Sequence, residues 1–237
     1  MNLLDDLHDL PTLHPRETQH TAQSPRGTAA AALPGDRGPA RVEADLRALL
    51  RAGDEAGAAA AALESHAAEV FGFLLGVLDS GPAAGEAYAG VVERVRREIS
   101  RFGGRCSLRT WMYAACRREL ERHARRHPAS SAANSLAPVI LCGPSTTLPA
   151  RCTGLAAAIT ALRGRLSPDD RALLILRLDR GLDLHELAVT ELGETARPTD
   201  LLREAERIRV RLRHIRDDLA RGAVEQQILA PPGEPHG

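Results

Sequence analysis

The chain has 237 residues, enough for one or two domains, and its 31 basic residues, all arginine, balance 31 acids. A formally neutral chain has no global field to draw it to nucleic acid, so any such attraction must be local. None of its four cysteines (Cys106, Cys116, Cys142, Cys152) lies two or three residues from another, which argues against a zinc knuckle, and no signal peptide or apolar run near twenty residues is read, so a soluble, cytoplasmic, reduced protein without membrane association is expected.

Residues 1 to 40, rich in Pro, Thr, Ala, Gly and His, read as a disordered arm. The first folded unit is expected over 41–127. Val42, Leu46, Leu49 and Leu50 share one helical face, Gly53 stops that helix, and Asp54 caps the next. The second helix is predicted from about Glu55 to Leu78, with Leu63, Val70, Phe71, Leu74, Leu75 and Leu78 as its buried stripe. Gly81-Pro82 separates it from a third, from about Ala83 to Arg101, with Val91, Val92, Val95 and Ile99 facing inward. A Gly-Gly turn and Ser107 then open a fourth helix, which carries Trp111 and Tyr113 and ends near His127-Pro128.

Residues 128–153 combine Pro, Ser, Thr and Gly around one short apolar run and read as a flexible linker. The second unit is expected over 154–220. A helix from about Gly154 to Leu166 leads to Ser167-Pro168-Asp169-Asp170, a strong helix start with cap, proline and acids in order. The next helix carries Leu173, Leu174, Leu176 and Leu178 and stops at Gly181. Asp183 and Glu186 form a capping box for a short helix from Leu184 to Leu192, which Gly193 ends. Beyond a stretch containing Pro198, a long arginine-bearing helix runs from about Thr199 to Ala220, and residues 221–237 read as a disordered tail. No segment reads as a strand. The fold class is therefore all-α: two small helical domains joined by a linker. How they pack on each other is left open.

From Arg94 to Arg126 there are eleven arginines against three acids, and all six aromatics lie between positions 71 and 113. Arginines neutralise phosphate and exposed rings stack on unpaired bases, so this stretch suggests contact with single-stranded or melting nucleic acid. Core packing of Trp111 and Tyr113 under a solvated arginine face is the competing account. In the second unit, a short capped helix, a glycine turn and a long basic helix form a helix-turn-helix pattern, with an ordinary helical hairpin as the alternative. The turn is longer than the usual three or four residues. No catalytic signature, cofactor motif or metal site is read. His185-Glu186 begins a zincin-like string, but Val189 stands where its second histidine belongs. His123 and His127 are spaced to share a helix face. With no third ligand nearby, they read as solvent-exposed helix-end residues.

Two sets of residues resemble a sigma-70-type sigma factor of RNA polymerase, closest to the extracytoplasmic-function group. Gly53-Asp54, Phe102-Gly-Gly, Ser107-Leu-Arg-Thr-Trp111-Met-Tyr113 and Arg125-Arg126 look like region two. Leu166-Ser-Pro-Asp-Asp-Arg171, Gly181-Leu182, Glu186-Leu-Ala188, Leu192-Gly193 and Arg207-Ile-Arg-Val-Arg-Leu212 look like region four. The resemblance implies a dissociable polymerase subunit, not itself an enzyme and without a cofactor. Region two would bind the beta-prime coiled coil and capture unpaired minus-ten bases. Region four would bind the beta flap and read the minus-thirty-five element. Partners would be core RNA polymerase, promoter DNA and an anti-sigma factor. By position, Ser107, Arg109, Trp111 and Tyr113 match the melting segment, with Arg105, Arg117 and Arg118 beside them on the DNA-binding face; Arg118 stands where the family usually has asparagine. Thr199, Arg203 and Arg207 are the candidates for duplex reading. Ala84, Glu86, Ala89 and Val92 fall on the polymerase-binding face, and of these only Ala84 matches the family's usual residue, with Glu86 conserving charge. A sigma-like interaction protein, or a stand-alone helix-turn-helix regulator, would keep the scaffold without initiating transcription.

Overall fold

Helix boundaries fall where the cap residues stand. In a computed structural model, which describes residues 39–127 and 162–225, every regular element among the described residues is helical. The assignments to the arm up to residue 38, the linker, most of the helix ending at Leu166 and the tail beyond 225 lie outside the described residues.

Helix α1 (Pro39–Arg51) turns through Gly53 into α2 (Glu55–Leu78). The Asp54 carboxylate accepts from the Gly57 N–H at 2.8 Å, so the expected cap forms. Asp79 ends α2 in the left-handed conformation (φ 54°), its N–H bonded back to the Leu75 carbonyl. Ser80 then caps α3 (Gly81–Glu98), which tightens into a single turn over Ile99–Arg101. Ser107 caps α4 (Leu108–Arg126) through the Thr110 N–H at 3.1 Å.

The second stretch opens on Ser167, whose hydroxyl takes the Asp170 N–H to start α5 (Pro168–Leu174). That helix widens through Ile175–Asp179, where Arg180 N–H reaches back five residues to the Ile175 carbonyl. The Asp183–Glu186 capping box forms as read and begins α6 (Leu184–Leu192). A five-residue turn, 193–197, leads into α7 (Pro198–Glu225), which begins one residue earlier than expected and runs five residues further.

One register expectation needs correction. In α2 the inward face is Ala58, Ala59, Ala62, Val70, Phe73, Leu74 and Val77, whereas Phe71 is 38% exposed and packs perpendicular to the Tyr88 ring. The alanines hold the close-packed face, so Phe71 rotates outward, while Leu63, Leu75 and Leu78 stay half-buried against the edge of the core. Being alanine-rich, α2 is also long and apolar enough by composition to cross a membrane, contrary to the expectation that no such segment exists. In α3, Gly90 is buried, and a Cβ there would overlap the Glu119 carboxylate and the Arg122 guanidinium of α4. Its missing side chain is what lets α3 and α4 approach closely.

The two stretches share one continuous hydrophobic core. Phe73, Val95, Met112 and Tyr113 belong to the same buried cluster as Leu173, Leu176, Leu187 and Ile208. Helix α6 lies along α4, α5 lies against α2, and α7 covers α6 from outside.

Candidate functional site

Helix α4 sits at the centre of the assembly and is buried on nearly every side over 110–117. Its residues expected to meet nucleic acid are occupied within the protein. Arg109 donates through Nε and Nη2 to Glu69 Oε1 at 2.7 and 2.6 Å, and the Tyr113 hydroxyl donates to the same oxygen at 2.8 Å. The Arg109 guanidinium lies 5.5 Å from the centre of the Tyr113 ring. Burial alone would raise the Glu69 carboxyl, but the bonds from Arg109 and Tyr113 outweigh it and hold Glu69 below its ordinary value. Burial and Glu69 together push the Tyr113 hydroxyl up, so it remains a donor. Trp111 is 8% exposed and packs edge-on against Phe102, ring centres 5.8 Å apart. For these rings the core-packing account is the one seen: neither is an exposed stacking platform in this arrangement.

The second stretch supplies partners for Thr110, Arg117 and the turn before α4. Arg117 is 4% exposed, donates to Glu191 Oε1 at 2.5 Å, and reaches Asp169 at 3.5 Å. Burial raises the Glu191 carboxyl against the pull of Arg117. Thr110 donates to Glu186 Oε1 at 3.1 Å, while the other oxygen of Glu186 closes the capping box. Glu194, just past α6, accepts the backbone N–H of Gly103 at 2.7 Å and of Arg105 at 3.1 Å. The Gly-Gly turn, with Gly104 at φ 68°, thus presents the N–H groups on either side of Gly104 to one carboxylate, as anion-binding backbone turns do. Burial, then Glu194, pushes the neighbouring Cys106 thiol to about 12, so it stays protonated at neutral pH. A cleft of about 340 Å³ opens beside Trp111, bordered by Arg94, Arg101, Arg118, Glu98 and Glu194.

Exposed candidates lie elsewhere. Arg105 is exposed, and the Arg118 side chain is 39% exposed. Thr199, Arg203 and Arg207 stand in the open on the first half of α7, where Arg203 and Arg207 have only the neighbouring acids Asp200 and Glu204 as ion-pair partners. Such exposed pairs contribute little and are readily exchanged for phosphate. Of the four residues assigned to the polymerase face, Ala84 is fully buried, Val92 is half-buried, and Glu86 and Ala89 are exposed. His123, expected at the surface, is 8% exposed.

Glu69, Glu191, Glu194 and the buried Arg171 escaped the sequence reading. Only Glu69 left a signal, as the last acid of α2, directly before its most apolar stretch. No protein-family model, curated protein or solved structure matches this chain.

Proposed function

We propose that the chain is a divergent sigma-type subunit of RNA polymerase, held with its second helical stretch folded back on the first. The observation that supports this most is the α6–turn–α7 unit. A capping box fixes the start of α6, Gly193 ends it, and α7 presents Thr199, Arg203 and Arg207 outward. That is the arrangement a recognition helix needs, with its first residues free for base edges and its arginines free for phosphate. Between 199 and 216, α7 carries six arginines against three acids, a local basic field in a neutral chain. In this reading α6 leaves α4 when the promoter melts. Phosphates and bases then take the donors that Glu186, Glu191 and Glu194 hold in the closed form.

A second reading, a sigma-like interaction protein that never opens, draws on the same acids. They take up Thr110 and Arg117 of α4 and the backbone of the turn before it, which closes that side of α4 to other partners. The departures at Ala89 and Val92 from the family's polymerase-gripping residues point the same way. Co-elution of the full chain with core RNA polymerase from its own source, at moderate salt, separates the two. Stoichiometric association is expected for a sigma subunit. A folded, helical chain that elutes apart from polymerase would remove that reading and favour the interaction protein.

A further inference from the structure

The close approach that Gly90 permits brings Glu86 of α3 under the last turn of α4. There His123 and His127, one helical turn apart, face it together. Glu86 Oε1 lies 3.4 Å from His127 Nε2, and Glu86 Oε2 lies 4.0 Å from His123 Nδ1. The two imidazole centres are 4.6 Å apart, and the three ligand atoms all fall within 4.8 Å of one another. We propose that Glu86, His123 and His127 form a binding site for a divalent transition-metal ion, zinc foremost, between the start of α3 and the end of α4.

The chemistry of the donor set carries this. Two imidazoles and a carboxylate are a zinc ligand set, and with three protein ligands a fourth position stays open to water. Ligand atoms around a tetrahedral zinc stand about 3.3 Å apart, given metal–ligand bonds of about 2.0–2.1 Å. The Glu86–His127 separation already meets this, and closing the widest of the three separations, at most 4.8 Å, needs a shift of no more than about 1.5 Å, within reach of side-chain rotations. Imidazole nitrogens select first-row transition ions over magnesium or calcium, which prefer all-oxygen sites. Glu86 is half-exposed (51%) and His127 likewise (44%), so an ion enters from solvent, while the buried His123 fixes the inner side. The site also lies at the carboxyl end of α4, where the helix dipole favours a cation. A bound ion would tie α3 to the last turn of α4. Glu86 belongs to the face that the sigma resemblance assigns to polymerase, but metal binding does not depend on that assignment.

The test is a zinc titration of the full chain against a competing chelating indicator, beside His127→Gln and Glu86→Gln. Both substituted side chains are exposed, so the fold persists, as circular dichroism would verify. Wild type is expected to bind one equivalent more tightly than either variant by at least about tenfold, since even residues that merely orient metal ligands command 10- to 100-fold. Its melting temperature is expected to rise with zinc while the variants' do not. Cobalt substituted for zinc is expected to give a visible d–d band that the variants lose. Equal zinc affinity and stoichiometry in all three proteins, whether from ions held by other histidines or from no binding at all, would overturn the proposal.

Discussion

Arg171→Met is expected to lower the unfolding free energy by about 3 kcal/mol, from the loss of charge-assisted hydrogen bonds and the desolvated carbonyls left behind. Arg171 is 7% exposed and spends its guanidinium on three backbone carbonyls. It donates to Val77 at 3.0 Å, to Gly164 at 3.1 Å and to Arg163 at 3.2 Å. Val77 lies in the last turn of α2, whose carbonyls have no helical partner, so one side chain of the second stretch caps a helix of the first. Burial lowers the Arg171 pKa, the Asp79 carboxylate opposes that shift, and the three carbonyls accept the buried donors. Methionine keeps an unbranched apolar stem but offers no donor. Lysine restores the charge without the planar fork, so Arg171→Lys should fall between methionine and wild type. Urea unfolding is expected to show one transition for both stretches, because they share a core. A loss below about 1 kcal/mol, the usual scale of a surface change, would show that Arg171 does not join the two stretches.

Phe73→Ala should cost about 3–5 kcal/mol, the range for emptying an aromatic site in a packed core. Phe73 is fully buried, its ring 5.3 Å from Tyr113 and nearly perpendicular to it (77°). Its loss would loosen the Tyr113–Glu69–Arg109 cluster as well. Phe71→Ala, two residues away, should cost less than about 1 kcal/mol, since Phe71 is 38% exposed. The pair tests the rotation of α2 directly. Equal losses, or the larger loss at Phe71, would restore the stripe expected from hydrophobicity alone.

Helix starts were the most legible part of this chain. Asp54, Ser107, Ser167 and the Asp183–Glu186 box each mark a start by satisfying a specific backbone N–H, a local interaction that the sequence spells out. Glycine stops at 53 and 193 were legible for the same reason. The inward face of α2 was not. Alanine carries little hydrophobic weight in a periodic pattern, yet Ala58, Ala59 and Ala62 let neighbouring helices come closest.

The fate of the α4 residues was hidden for a different reason. Their types allow either phosphate contact or internal pairing, and only tertiary structure brings Glu69 to Arg109 or Glu191 to Arg117, 40 and 74 residues away along the chain. The same holds for Glu86 beneath His123 and His127: the helical spacing of the histidines is visible, but the third ligand comes from another helix.

Initiation itself tests the central claim most directly. Core RNA polymerase from the same source would transcribe genomic DNA fragments with and without the full chain, and the RNA 5′ ends would be mapped. A sigma subunit should produce chain-dependent start sites that share upstream sequence elements, weakened by Arg203→Ala with Arg207→Ala. Identical transcripts with and without a folded chain would contradict the claim and leave α4 permanently closed under α6.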